Sequence, residues 1–408
     1  MLSRTGRPVP IGSEGAIVAV IAVSRFLSLF SVGLGFVVTT WLGAIVGSMQ
    51  LVGQLFLAGS LTTFAVSAVI GSLADQRSRI SLIRWAWAVR LAGIGVFILG
   101  VTTRQQPHLW LFAFSVTTAL SNALGASAMD GAFQSAIPAE RRIQLTMRFE
   151  IVRQAGLVCG MGAGGLLLHW LGALPPALLL LAVLLVQIVL FEFWLFRYAD
   201  DAVTGGQGVL RFWLDGVRSA CREPHLLASI LAGALLVTVA QLTNLLVPIF
   251  VRDTLAGGSD LYGLLESAWS AGGAALLLAV SLGSFLGRER LEFILLVMIG
   301  LLMIIFAMSR NLVLLVLVYA MLGGLFALGR AICEGRLLTL VKSEEIGRIR
   351  SASVMLNSAA GVLIFLSPGI FPGQNAVVFY CVWGGIVAFA GLVTFVISTR
   401  RKVKTISP

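Results

Sequence analysis

Charge is scarce in this chain, and negative charge is scarcest. Among 408 residues there are 18 Asp and Glu against 29 Lys and Arg, and the charged total is 12%. With a mean hydropathy of +0.98, that composition lies outside the range of soluble globular domains. Cysteine and histidine are also few, at four and three. Cys159, Cys333 and Cys381 fall in or beside apolar runs and Cys221 stands apart, so no spacing suggests a disulfide framework or a metal site. His108, His169 and His225 are not spaced as ligands. There is no nucleophile–base pair, phosphate-binding loop or soluble catalytic segment. We therefore expect no enzyme activity, no metal and no organic cofactor.

What the chain has in quantity is uninterrupted apolar sequence. Runs of about 18 charge-poor residues or more are read as membrane helices, because about 20 residues cross a hydrocarbon core of about 30 Å, and a helix satisfies every backbone group internally. Twelve such runs lie near 16–42, 49–70, 82–101, 109–134, 145–169, 174–197, 225–251, 260–284, 291–308, 311–335, 350–370 and 375–398. The ninth and tenth are separated only by SRN, which demands a tight hairpin. The first run is about twice the length of a signal-peptide core and no small-residue cleavage site follows it, so a cleaved leader is not expected.

The net charge of +11 is distributed by side. If the N-terminus is cytoplasmic, the inner joints carry Arg77, Arg79, Arg84, Arg141, Arg142, Arg197, Arg211, Arg218, Arg222, Arg288, Arg290, Lys342, Arg348 and Arg350. Both ends, with Arg4, Arg7 and RRKVK, fall on that side too. The outer side has Arg104, Arg252 and Arg310. This is the positive-inside pattern. It makes anionic lipid headgroups, rather than nucleic acid, the expected contact of a chain with pI near 10.5. Trp41, Trp110, Trp170, Trp85 and Trp194 stand at run ends, as interfacial anchors or as lipid-facing filler.

The runs divide six and six about a long polar joint. The expected domains are a first bundle over 1–197, a cytoplasmic linker over 198–224 and a second bundle with its tail over 225–408. Residues 209–220 are suited to a short helix lying on the membrane surface. The halves repeat faintly: GSLADQRSR at 71–79 has a counterpart in GSFLGRER at 283–290, and AIPAERRIQ in LVKSEEIGRIR. Such internal symmetry is typical of transporters.

GSLADQRSR carries a resemblance. Gly71, Leu73, Ala74, Asp75 and Arg79 match the loop signature G-x-L-A-D-[RK]-x-G-R-K of the major facilitator superfamily, with Gln76, Ser78 and Ile80 departing from it. SRFLSLFSVGLG, DGAFQSAIPAE and IGRIRSAS are similar to the drug-efflux and siderophore-exporter branch that includes the enterobactin exporter and macrolide efflux pumps. The resemblance implies an all-α polytopic fold of 12 transmembrane helices in two pseudo-symmetric six-helix bundles. It also implies that Asp75 faces the start of the eleventh helix, where a carboxylate is favoured, and that Arg79, near Arg77, pairs with Asp130. Together these contacts would latch the inner face. A positive-inside anchor is the plainer reading. GLVCGMGAGG resembles the antiporter signature G-x-x-x-G-P-x-x-G-G at Gly156, Gly160, Gly164 and Gly165, with Met161 in place of the proline. Export is what it implies, and close helix packing accounts for it equally.

Ionisable residues within spans are costly and commonly functional. Arg25, with Ser24, Ser28 and Ser31 in a stripe, either meets a substrate anion or pairs with a buried acid. Glu266 is either a proton-coupling carboxyl or an interfacial acid. Arg330 and Glu334, four apart, either pair, with Arg336 nearby, or line a cavity. Glu150 and Arg153 read as a pair on the cytoplasmic face. Arg90 and Glu192 read as snorkelling or paired. Gln241 and Asn244, like Gln50 and Gln54, are candidate cavity donors or interhelical bonds. The expectation is a monomeric inner-membrane antiporter with both termini cytoplasmic. By alternating access at a site between the bundles, it would exchange protons for a medium-sized amphipathic or hydrophobic compound. A dedicated siderophore exporter, a lysophospholipid flippase and a non-transporting sensor or scaffold remain as alternatives.

Overall fold

A computed structural model describes residues 14–74, 79–136, 142–192, 224–281, 291–340, 346–371, 373 and 375–404. The described residues are almost entirely helical. Helix α1, Glu14–Ala74, is broken into two arms at Gly47 and Ser48, where Ser48 takes φ 66°. Then follow α2 Arg79–Thr103, α3 Pro107–Ala136, α4 Arg142–Leu171, α5 Leu174–Leu190, α6 Pro224–Ile249, α7 Ser259–Ser281, α8 Leu291–Met308, α9 Leu312–Leu340, α10 Ile346–Ile370 and α11 Ala376–Lys404. With α1 counted as two arms, eleven helices give twelve rods. Among the described residues eight helices, α1 counted once, are long and apolar enough to cross a membrane; α5 and Leu356–Ile370 of α10 are apolar but shorter.

Local sequence accounts for several joints. Pro lies in the first turn of α5, where the missing N–H costs nothing. The SRN joint is as tight as its length demands. Arg310 donates to the carbonyls of Ala307 and Ser309 at 2.9 and 2.8 Å, stabilising the end of α8. Asn311 Oδ1 accepts from Leu314 N at 3.1 Å and caps α9. After Pro248 the end of α6 widens into a π turn over Phe250–Thr254, closed by Leu255 N to Phe250 O at 3.1 Å.

The chain forms two compact units: Met1–Thr39 with Leu61–Gly206, and Thr40–Ser60 with Gln207–Pro408. The hairpin joining the two arms of α1 is thus part of the second unit. The linker expected over 198–224 lies outside the described residues except for Pro224, which begins α6, and the surface helix expected over 209–220 and the counterparts at 283–290 lie outside them entirely.

Within each unit the helices meet through glycine, since bare backbones approach more closely than side chains allow. A Cβ on Gly156 or Gly160 of α4 would collide with the carbonyls of Phe26 or Phe30 on the first arm of α1. In the second unit, one on Gly272 of α7 would strike Ala320 O of α9, and one on Gly323 would strike Trp269 O. Gly384 of α11 packs likewise on Gly300 of α8, a Cβ there falling 2.8 Å from Gly300 O. Gly385 has open space. Overpacking a tight contact costs about 1–3 kcal/mol. Gly272→Ala should therefore lower the thermal midpoint in detergent, while Gly385→Ala should leave it in place; equal midpoints would contradict the packing.

Candidate functional site

The second unit buries a carboxyl among phenols. Glu266 lies seven residues into α7, about 10 Å along it, and is 2% exposed. Tyr319 on α9 donates its hydroxyl to Glu266 Oε1 at 3.2 Å. Tyr262, one turn earlier on the same face of α7, and Tyr380 on α11 are fully buried and within electrostatic reach of the carboxyl. The Tyr380 hydroxyl has no hydrogen-bond partner. Apolar rings close the site: Trp269 and Phe306 each lie 5.1 Å from Tyr319, and Phe306 lies 5.4 Å from Tyr380. Among the described residues no cation pairs with Glu266. It can gain or lose a proton without breaking an ion pair.

The hairpin of α1 reaches this cluster. Thr40 Oγ1 and Tyr262 Oη share a hydrogen bond of 2.6 Å, and Trp41 stacks on Tyr262 at 5.8 Å. Trp41 is therefore buried against a phenol rather than anchored in a lipid interface, because the turn at Gly47 and Ser48 folds this stretch onto α7. Trp170 and Trp85 are exposed, and Trp194 lies outside the described residues. Further along the hairpin, Phe56 stacks on Phe365 of α10 at 5.2 Å.

A profile of the Major Facilitator Superfamily matches residues 21–365. The chain belongs to the major facilitator superfamily. It is a multi-pass membrane transporter and not an enzyme. No curated protein matches the sequence significantly. Among solved structures, a bacterial homologue of the iron transporter ferroportin in the inward-facing state has a TM-score of 0.73 at 16% identity, over 94% of this chain and 98% of that one. A POT family transporter in complex with a thioalcohol-conjugated peptide gives 0.74 at 10% identity, over 94% and 96%. The nucleoside transporter NupG gives 0.70 at 14%, over 93% and 99%. At these identities the likeness is one of fold.

The remaining residues singled out in the sequence fall in both units or outside the described residues. Asp75 and Arg77 lie outside the described residues. Gly71, Arg79 and Asp130 are on helical backbone, their side chains undescribed. Gly156 and Gly160 face the first arm of α1, and Gly164 follows, a Cβ there falling 3.2 Å from Leu34 O; Gly165 is buried on the same helix. Arg25 is half-buried on the first arm. Gln241 donates to Asn357 O of α10 at 3.3 Å, an interhelical bond, and Asn244 is half-buried one turn on. Arg330 is exposed and Glu334 half-buried on α9. Arg336 pairs with Glu292 of α8, an acid not singled out in the sequence. Glu150 and Arg153 pair at 2.9 Å, and Arg84 holds Glu192 through two bonds of 2.9 Å. Arg90 neither snorkels nor pairs with an acid among the described residues: it donates to Asn122 and Ser31, both at 3.1 Å.

Proposed function

We propose that the chain is a proton-coupled exporter of medium-sized amphipathic compounds. On this reading it works by alternating access from the inner membrane, with both termini in the cytoplasm. One observation carries this reading: Glu266, fully buried, is hydrogen-bonded to a phenol and paired with no cation among the described residues. Intramembrane carboxyls of this kind are expensive and mark proton relays. The basic inner joints support the orientation, and the glycine run packed on α1 supports export through its likeness to the antiporter signature. The neighbours are an iron transporter homologue, a transporter holding a conjugated peptide and a nucleoside transporter, so they agree on no cargo. The drug-efflux branch is the reading favoured by the local stretches in the first run, after the fourth and before the eleventh.

Proteoliposomes loaded with a pH-sensitive dye test the proposal. Protein and an imposed proton gradient are combined with anionic, neutral and cationic amphiphiles. At least one compound should dissipate the gradient at a rate that scales with protein; no dissipation by any of them would favour a sensor. The latch adds an expectation. A carboxylate at a helix N-terminus contributes up to about 2 kcal/mol, so Asp75→Asn should slow flux about tenfold with membrane insertion unchanged. Unaltered flux would leave 71–79 as an anchor only.

A further inference from the structure

Arg90 sits at mid-height of the first unit. It is eleven residues from Arg79 and thirteen from Thr103, the ends of α2. Ser31 is equally central in the first arm of α1, and Asn122 is fifteen residues into α3. The nearer end of α2 is about 16 Å away along the axis, beyond the reach of a snorkelling side chain. The half-buried guanidinium instead spends two of its five donors on neutral oxygens, Oδ1 of the exposed Asn122 and Oγ of the buried Ser31. A guanidinium in the middle of a span without a counter-charge is costly. The acid nearest along α5 does not relieve it, because Glu192 is held by Arg84.

A second observation lies at the same level. Helix α5 runs antiparallel to α2, with Arg84 on Glu192 and Trp87 on Phe191. One turn further, the register sets Arg90 level with Gln187. The Gln187 Nε2 amide is buried and without an acceptor. At one height the first unit thus holds a cation with no counter-charge among the described residues and an orphaned amide donor, and both can donate to an oxygen-rich anion.

We propose that Arg90, held by Asn122 and Ser31 and assisted by Gln187, is an oxyanion subsite, and that the transported compounds carry a carboxylate or phosphate. The inference rests on the exporter reading above and narrows its substrate class. Charge-assisted bonds to a planar guanidinium are the strong ones and fit both groups.

Equilibrium binding to the purified full chain tests it, with no gradient present. The probes share one hydrophobic body: dansyl-aminohexanoate, its methyl ester and dansyl-cadaverine. The anion should bind about tenfold tighter than the ester or the amine. Arg90→Gln should level the three, and Arg90→Lys should keep part of the preference. Should Arg90→Gln fail to fold, the wild-type order and Asn122→Ala decide, the latter weakening the anion while sparing the ester. Displacement of the anionic probe by 1-oleoyl-lysophosphatidylglycerol would assign the site to a lipid phosphate; its retention would assign it to a soluble carboxylate. No anion preference in the wild type, or a preference that survives Arg90→Gln, overturns the proposal. A chain that prefers the anion yet shows no gradient-dependent flux loses the exporter reading and keeps the subsite.

Discussion

Replacing Glu266 with glutamine is expected to cut gradient-driven flux about tenfold or more, since coupling free energies run to about 1–3 kcal/mol, while equilibrium binding is retained. Glutamine keeps the volume of the side chain, and its carbonyl can still accept from Tyr319. What it loses is the proton. The choice of Glu266 over the other fully buried acid is physical. Glu292 already shares its carboxylate with Arg336, so protonating it breaks an ion pair. Glu266 meets a phenol alone, among the described residues. Tyr319→Phe is the milder comparison: it removes one hydrogen bond worth about 1 kcal/mol and should slow flux several-fold without uncoupling it. Full pH-dependent flux in Glu266→Gln would move the proton site elsewhere. The hairpin gives a further reason to look here, because Tyr262, one turn from Glu266, is the residue that holds Thr40 and Trp41.

The rods were legible in the sequence because hydropathy and helix length obey one constraint, the thickness of the bilayer. The tight joint at Arg310 and Asn311 was legible too, from its length. What the sequence did not show is which faces meet. Trp41 stands at a run end and reads as an interfacial anchor, yet a turn six residues on places it against Tyr262. Gln241 and Asn244 look alike on one helix, but only the first has a backbone carbonyl of α10 opposite it in the described bonds. Arg336 finds an acid, Glu292, on a different helix, which no spacing along α9 could show. Of the two residues read as snorkelling or paired, Glu192 is paired with Arg84, while Arg90 bonds two neutral oxygens that its position along α2 does not reveal. Interhelical partners depend on rotation about each axis, which periodicity constrains weakly in helices apolar all round.

The pairing of Arg336 with Glu292 carries the largest expected effect on stability. Glu292 is 0% exposed. Its Oε2 has no partner, so Arg336, bonded to Oε1, is the counter-charge. Removing one member of a buried pair strands the other, at a cost of about 3–5 kcal/mol. Arg336→Ala should therefore lower the thermal midpoint in detergent by about 6 °C or more, and Glu292→Ala by less, because Arg336 is partly exposed and can turn to water. The double variant Glu292→Gln with Arg336→Met should recover most of the loss, since a neutral pair of similar volume avoids burying charge. If the double variant melted as low as Arg336→Ala, the contribution would lie in packing by the arginine stem rather than in the ion pair. If Arg336→Ala melted with the wild type, Glu292 would have to be neutral in the folded protein, and it would then compete with Glu266 as the proton-binding acid.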